Sequence, residues 1–174
     1  MSETAYIGLG SNLSDRINNL RVAVDSISKE NKIRVIKESG IYESEPMYIQ
    51  EQPYFLNMAL EIETEYSPSE LLKSLLMIER TVGRIRETKN GPRVIDIDIL
   101  YYNSKVIDTK TLRIPHPLLY DRLFVLLPLA ELAGDFVCPV KGKTVKSLLQ
   151  STGDKSRISP YDIESEPVDA AAAE

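Results

Sequence analysis

A strand that carries two aspartates sets the strongest limit on how this chain can fold. Residues 94–100 read Val-Ile-Asp-Ile-Asp-Ile-Leu. Val and Ile favour extended backbone, whereas Asp is depleted in strands. Because side chains alternate across a strand, Asp96 and Asp98 share one face and isoleucines the other. The two Cβ atoms lie about 6–7 Å apart. Two interpretations are therefore open: a hydrated edge strand, or a carboxylate pair that holds divalent cations.

A loop rich in cations leads directly into this strand and favours the second interpretation. Arg84, Arg86, Lys89 and Arg93 lie within ten residues of each other. Phosphoryl transfer uses metal ions to neutralise phosphate oxygens and arginines to hold the charge of the transferred group. Cations at a helix end can also complement the helix dipole, which explains Arg84 and Arg86 better than Arg93.

His116 lies between two prolines, in a restricted backbone, and is flanked by Lys110, Arg113 and Arg122. It can donate a hydrogen bond to a phosphate or simply fill the loop, and the pattern alone leaves both open. The neighbouring cations favour an anion site.

Phe55 and Asn57 are two residues apart in a predicted strand and point to the same face. An aromatic ring beside an amide that both donates and accepts suits a flat nitrogen heterocycle. A core phenylalanine with an asparagine near a turn is the alternative.

The order of predicted elements is strand, helix, strand, strand, helix, strand. Apolar residues at helical spacing follow Ser14 and Asp15, either of which can cap a helix. Residues 67–70 read Ser-Pro-Ser-Glu, a capping box with proline at the first helical position. This order predicts an α+β fold with a ferredoxin-like βαββαβ core in a single domain. C-terminal additions follow, namely a helix over 121–132 disturbed at Pro128 and a short helix over 144–150.

The charge is uneven. Of the 26 acidic residues, five lie after residue 158, where there is no Lys or Arg, so the first 158 residues carry 21 charges of each sign. A neutral body argues against nucleic-acid binding. We expect residues 159–174 to form an acidic, disordered tail. With no basic apolar leader and no apolar run long enough to span a bilayer, we expect a cytoplasmic protein without membrane contact.

Several blocks of the sequence resemble the 6-hydroxymethyl-7,8-dihydropterin pyrophosphokinase family of folate biosynthesis. The resemblance covers about residues 4 to 150 and is most specific in the Gly-Pro-Arg-x-x-Asp-x-Asp run. The matching blocks are Gly10-Ser11-Asn12-Leu13, Gln52-Pro53, Phe55-Leu56-Asn57, Gly91-Pro92-Arg93 with Asp96 and Asp98, Ile114-Pro115-His116-Pro117, and Arg122 with Phe124.

The resemblance implies a ferredoxin-like pyrophosphokinase domain over residues 1–158. Such an enzyme transfers the diphosphoryl group of ATP to the pterin hydroxymethyl oxygen and releases AMP. By this resemblance Asp96 and Asp98 hold two Mg²⁺ ions, and Arg84 and Arg93 stabilise the charge that develops. The implied pterin site comprises Ser44, Met47, Phe55, Asn57 and Phe124. The implied ATP site comprises Glu79, Arg86, Ile99, Lys110, Arg113, His116 and Arg122.

Four residues, at three places in the chain, depart from the family pattern. Lys89-Asn90 stands where members usually carry Arg-Trp, Leu76 where some carry Gln, and Glu45 where Pro or Ala commonly precedes Pro46. Two other functions remain alternatives on the same fold, a non-catalytic regulatory module and an RNA-binding module. The paired aspartates argue against the first and the neutral body against the second. We expect a monomer that binds ATP and a pterin.

Overall fold

A computed structural model describes residues 1–83 and 89–165 of the chain. Within them lie eight strands and four α-helices. The strands are β1 Glu3–Ser11, β2 Ile33–Glu38, β3 Tyr42–Ser44, β4 Phe55–Thr64, β5 Asp96–Tyr102, β6 Ile107–Asp108, β7 Arg113–Ile114 and β8 Ile158–Pro160. The helices are α1 Arg16–Ser28, α2 Pro68–Val82, α3 Leu123–Ala133 and α4 Val145–Ser151.

The main sheet is antiparallel in the order β5-β1-β4-β3-β8, and β2 also pairs with β4. In the middle of the sheet, Ile7 of β1 lies between Leu60 of β4 and Ile99 of β5. Without β8, this is the strand order of a βαββαβ ferredoxin-like core. The predicted fold class is confirmed, and the β6–β7 hairpin is an addition to it.

Both helices of the core begin where the sequence predicts. The Asp15 side chain accepts the backbone N–H of Asn18 and caps α1. Ser67 and Glu70 form the complete capping box of α2, and α2 ends at Gly83 in the left-handed conformation, at φ 115°. A glycine there carries no Cβ penalty and ends the helix just before the cation-rich part of the sequence.

Two apolar clusters lie on opposite faces of the sheet. One packs α1 and α2 against a face that includes Ile7, Ile97 and Ile99. The other packs α3 and α4 against Leu100 and Tyr101. The isoleucines of β5 are therefore buried under α2, as their alternation with Asp96 and Asp98 predicts.

The chain remains in regular structure beyond the predicted domain boundary. Residues 158–160 form β8, which pairs with β3, and Tyr161 packs against the first cluster. Residues 159 and 160, which the sequence assigns to the tail, therefore lie in this strand. Backbone pairing does not depend on the acidic composition that suggested disorder. Residues 166–174 lie outside the described residues. No helix in the described part of the chain is long and apolar enough to cross a membrane.

Candidate active site

The site lies on the α3 side of the sheet, where β1 contributes glycines. Gly10 is paired with Asn57 of β4 on one side and with Asp96 of β5 on the other. A Cβ added at Gly10 would lie 3.3 Å from Asn57 Oδ1 and 3.8 Å from Phe55 Cδ1. Glycine therefore keeps the floor of a cleft open between the amide of Asn57 and the carboxylate of Asp96.

The two aspartates stand on one face of β5, as predicted, and each has a cationic or titratable neighbour. Arg93 Nε lies 3.4 Å from Asp96 Oδ2. His116 Nε2 lies 4.0 Å from Asp98 Oδ2. The side chains of Asp96 and Asp98 are 25% and 40% exposed, so both carboxylates are accessible from the cleft.

The first cleft brings together all five residues predicted to bind a pterin. It encloses about 720 Å³, including the open space at its mouth. Its lining includes Ser44, Met47, Phe55, Asn57 and Phe124, together with Arg93, Asp96, Asp98 and Arg122. Asn57 Nδ2 donates to Ser44 Oγ at 2.9 Å and to the Tyr42 carbonyl at 3.3 Å. These bonds fix the amide plane and leave Oδ1 above Gly10.

Arg93 is held at the mouth of this cleft by its backbone and its side chain. Its guanidinium lies 4.9 Å above the Phe55 ring and donates from Nη1 to the Gly91 carbonyl. Its Nε is buried and has no hydrogen-bond partner among the described residues. The Asp96 carboxylate 3.4 Å away supplies the opposite charge, so Arg93 and Asp96 form an ion pair at the mouth of the cleft.

Asn12 orients Arg93 and links three loops. Its backbone N–H donates to the Arg93 carbonyl at 3.2 Å, and its Oδ1 accepts the Arg93 N–H at 2.8 Å. Its Nδ2 donates to Gln52 Oε1 and to the Pro53 carbonyl, both at 3.0 Å. Gln52 Nε2 in turn donates to the Asn90 carbonyl. Asn12 and Gln52 were noted only as parts of matching blocks, and sequence reasoning gave them no role. The signal for Asn12 is its burial, at 1% exposure, which a single sequence does not reveal.

A second cleft opens on the other side of Asp98. Its lining includes Ile99, Lys110, Arg113 and His116, four of the residues predicted to bind ATP, as well as Asp98 itself. Arg113 Nε pairs with Asp108 at 3.0 Å across the β6–β7 hairpin, and both side chains are mostly exposed. Asp98 therefore lies where the first cleft, which is aromatic, meets the second cleft, which is basic.

The surroundings of His116 keep its imidazole neutral. Burial is the main cause that lowers its pKa from 6.5 to about 4; Arg122 lowers it further, and Asp96 opposes the shift. The Leu118 backbone N–H donates to Nδ1 at 3.2 Å, so the proton of the neutral ring is on Nε2. Nε2–H faces Asp98 and can donate to a phosphate bound beside it.

The other predicted ATP residues are placed differently. Arg122 lines the first cleft, donates from Nη2 to Tyr48 Oη at 3.0 Å, and has a buried Nε without a hydrogen bond among the described residues. Glu79 is 3% exposed, and its Oε1 accepts the Ile97 N–H at 2.8 Å. It thus joins α2 to β5, and contact with ATP stays a prediction. Arg84 and Arg86 lie outside the described residues, so their predicted roles stay predictions as well.

The donor set fits magnesium. Mg²⁺ prefers oxygen ligands and usually takes one or two protein carboxylates, completing its shell with water and substrate phosphates. Asp96 and Asp98 supply such carboxylates. Across the described parts of the chain, no group of three or more His, Cys, Asp or Glu side chains is placed to hold a metal. The remaining ligands would therefore come from phosphates and water.

Comparison with known proteins identifies close relatives. The family model described as 7,8-dihydro-6-hydroxymethylpterin-pyrophosphokinase matches residues 6–134. A Bacillus subtilis 2-amino-4-hydroxy-6-hydroxymethyldihydropteridine pyrophosphokinase is 48% identical over 132 residues, which are 76% of this chain and 79% of that protein. The folic acid synthesis protein fol1 of Pneumocystis carinii is 42% identical over 88% of this chain, but the match spans only 20% of its own length.

A solved structure shows the same fold. The Plasmodium falciparum HPPK-DHPS triple mutant with STZ-DHP superposes with a TM-score of 0.70 at 16% identity, covering 86% of this chain and 43% of the other. The chain thus spans less than half of this structural relative and about a fifth of the fungal one, but most of the bacterial enzyme.

Proposed function

Since this chain belongs to the 7,8-dihydro-6-hydroxymethylpterin-pyrophosphokinase family, we propose that it transfers the diphosphoryl group of ATP to the hydroxymethyl oxygen of 6-hydroxymethyl-7,8-dihydropterin. The products are AMP and the pterin diphosphate, and the reaction serves folate biosynthesis. One observation carries the proposal: Asp98 lines both the aromatic cleft and the basic cleft, so a carboxylate that can hold a metal stands between two substrate-sized spaces.

The first cleft suits the pterin. Phe55 and Phe124 both line it and offer apolar ring faces to a flat heterocycle. Asn57 presents an amide held by Ser44 to the polar edge of that ring. Met47 completes the apolar lining. A pterin bound here has its hydroxymethyl group directed toward the aspartates.

The second cleft suits the triphosphate. Lys110 and Arg113 bring positive charge to its rim, and His116 offers a neutral N–H donor. Ile99 adds an apolar contact. Arg122 and Arg93 stand on the pterin side of the aspartates, where they can hold the phosphate groups that pass from one cleft to the other. Arg84 and Arg86 join this set by the sequence prediction.

The reaction forms one bond and breaks one. The hydroxymethyl oxygen bonds to the β-phosphorus of ATP, the bond from that phosphorus to the oxygen bridging the α-phosphate breaks, and AMP leaves with that oxygen. The hydroxyl proton passes to solvent. Magnesium, when bound, neutralises phosphate charge and eases deprotonation of the hydroxyl. Asp96 and Asp98 would hold it, and we propose two ions, as the resemblance implies. Arg93 and Arg84 stabilise the charge on the transferred group.

The experiment that tests this function measures AMP formation, because a diphosphoryl transfer yields AMP whereas an ordinary kinase yields ADP. We expect AMP to form from ATP only when Mg²⁺ and 6-hydroxymethyl-7,8-dihydropterin are both present. Asp96→Ala should lower the rate about a thousandfold, because losing several kcal/mol of metal-assisted stabilisation corresponds to that factor.

The matched control is Asp25→Asn, since Asp25 pairs with Lys29 on the surface of α1 and should leave the rate unchanged. A regulatory module would bind ligands and release no AMP. Full activity in Asp96→Ala would remove the catalytic assignment. We further propose that the protein is cytoplasmic, acts as a monomer and does not bind nucleic acid.

A further inference from the structure

We infer that residues 152–160, here called the C-terminal strap, position two walls of the pterin cleft, residues 44–45 and residues 122–124. The Asp154 and Glu45 side chains make the hydrogen bonds that join the strap to these walls. The inference rests on the proposed function, because it concerns how tightly that cleft holds a pterin. The strap lies beyond residues 6–134, which the family model matches. It does not line the cleft itself, so Asp154 is a positioning residue.

At one end the strap caps α3. The helix begins at Leu123, and Arg122 before it provides no side-chain capping bond. Instead, the Leu123 N–H donates to Asp154 Oδ2 at 2.8 Å, from a residue 31 positions away. A carboxylate at a helix N-terminus satisfies a free N–H and complements the dipole. Leu123 lies between Arg122 and Phe124, so Asp154 fixes the segment that lines one wall.

Asp154 also holds the strap in its own shape. Its Oδ1 accepts the Ser156 N–H at 2.8 Å, and Thr152 Oγ1 donates to the Tyr120 carbonyl at 3.1 Å. Burial opposes ionisation of this carboxyl, but the bonds from Leu123 and Ser156 outweigh it and lower the pKa of Asp154. The group is therefore a charged acceptor at neutral pH, with both oxygens engaged.

At the other end the strap holds the opposite wall. The Arg157 N–H donates to Glu45 Oε1 at 2.9 Å, and the Glu45 N–H donates to the Arg157 carbonyl at 3.1 Å. Ile158 then pairs with Ser44 in the β8–β3 ladder. Ser44 accepts the Asn57 amide, so the position of that amide depends on the strap. Glu45 is also one of the positions where the sequence departs from the family pattern.

The two walls come from segments far apart in the chain, residues 44–45 and 122–124. One short segment bonds to both, through the Asp154 side chain at one end and the Arg157 backbone at the other. A ring stacked on Phe124 and edge-bonded by Asn57 needs the spacing between these walls to be fixed. If the α3 end is released, the spacing loosens. A loosened wall must be ordered again when the ring binds, and that cost is subtracted from the affinity for the pterin.

The test measures pterin affinity and turnover in the full-length protein. Wild type, Asp154→Ala, Asp154→Asn and the control Asp25→Asn are titrated with the pterin by calorimetry, with a non-hydrolysable ATP analogue and Mg²⁺ present. AMP formation is measured in parallel. We expect Asp154→Ala to raise the pterin Kd and KM about tenfold, with kcat per folded molecule nearly unchanged. Asp154→Asn keeps one acceptor oxygen and should lie between Ala and wild type.

A second variant covers the case in which Asp154→Ala folds poorly. Glu45→Gln keeps an oxygen for the Arg157 N–H and removes the charge, so it should raise the pterin KM above the wild-type value by less than about tenfold. Amide hydrogen exchange of Leu123 reports directly on the cap and should accelerate in Asp154→Ala, while exchange within β1 stays slow. A purely stabilising role would leave the pterin KM of folded protein unaltered.

The outcomes separate the inference from the proposed function. Pterin-dependent AMP formation in wild type, with an unaltered pterin KM in folded Asp154→Ala, overturns the inference alone. Pterin binding without AMP overturns the proposed reaction, and the Kd of Asp154→Ala then still decides the inference. If wild type binds no pterin, both fail.

Discussion

His116 is the only histidine in the chain, and its burial beside Arg122 makes it a neutral hydrogen-bond donor. A charged imidazole would attract phosphate more strongly, but it would also be attracted to Asp98, 4.0 Å away. A neutral ring avoids that competition and keeps its Nε2–H available for a phosphate oxygen. The sequence placed His116 in a rigid loop between prolines and left its role open, because a pKa depends on neighbours distant in the chain.

The acid dependence of stability tests this environment. The pKa of His116 is about 4 in the folded protein, below its ordinary value of 6.5, so the unfolded chain binds a proton first as the pH falls. The free energy of unfolding therefore decreases from about pH 6.5 down to about pH 4. Between pH 7 and pH 5 the loss should be about 2 kcal/mol, measured by urea unfolding of the ligand-free protein.

His116→Gln is the comparison, since glutamine does not titrate. Its unfolding free energy should change less between pH 7 and pH 5, by the same 2 kcal/mol or so. The carboxylates titrate alike in both proteins, so their contribution cancels when the unfolding free energies of wild type and His116→Gln are compared. Equal pH slopes in the two proteins would show that the folded imidazole is not held neutral.

Buried polar residues mark where residue-level prediction stops. Asn12 and Glu79 are 1% and 3% exposed, and each satisfies backbone groups of a distant segment, Arg93 and Ile97. Asn and Glu are usually exposed, so composition predicts a turn for the first and a helix surface for the second. Their partners become known only once the chain is folded.

At the scale of elements, α2 shows how far a local signal reaches. Its capping box lies within four consecutive residues, so the sequence alone fixes where the helix begins. The helix then carries Glu79 to the start of β5, where the carboxylate accepts the Ile97 N–H between the two aspartates. A local cap thus supports the geometry of the site from the other face of the sheet.

Removing the Ser67 cap of α2 should lower the stability of the protein and change its activity little. In Ser67→Ala the Glu70 N–H loses its side-chain acceptor, and the free energy of unfolding should fall by about 1 kcal/mol. Thermal unfolding monitored by circular dichroism measures the change. The control is Ser69→Ala, two residues further along the chain at an exposed position. It should be neutral or slightly stabilising because alanine favours helix. A loss as large in Ser69→Ala would contradict the capping assignment.

Strand β8 shows the opposite case. Residues 158–160 read Ile-Ser-Pro and border an acidic end, a composition typical of a solvated tail. They pair with β3 through backbone groups and are followed by Tyr161, whose N–H donates to the Ile41 carbonyl. Three-residue strands carry almost no periodic signal. Only the free edge of β3 accounts for the pairing, and that edge exists only in the assembled sheet.

At the scale of the whole molecule, the sheet separates stability from chemistry. The isoleucines of β5 pack beneath α2 in one apolar cluster, while Asp96 and Asp98 face the other side. The period-2 alternation of the sequence predicts this division, and so it predicts which face carries the site. It does not predict that Asp98 lies between two clefts, because the second cleft depends on the β6–β7 hairpin, whose strands are two residues long.

That separation makes the two substrates distinguishable by their effect on stability. A ligand present at a hundred times its Kd that binds only the folded state adds about 2.7 kcal/mol to the free energy of unfolding. This corresponds to a rise in Tm of roughly 5–10 °C for a domain of this size.

ATP with Mg²⁺ should produce such a rise in wild type, and a chelator should remove most of it. The double variant Asp96→Asn with Asp98→Asn should lose the magnesium-dependent part, because amides replace the charged ligands on the shared face. Phe55→Ala removes a ring that lines the first cleft and not the second, so it should keep most of the rise with ATP and Mg²⁺. If Phe55→Ala and the aspartate variant lost the rise equally, the two clefts would not be separate substrate sites, and the position of Asp98 between them could not carry the proposed function.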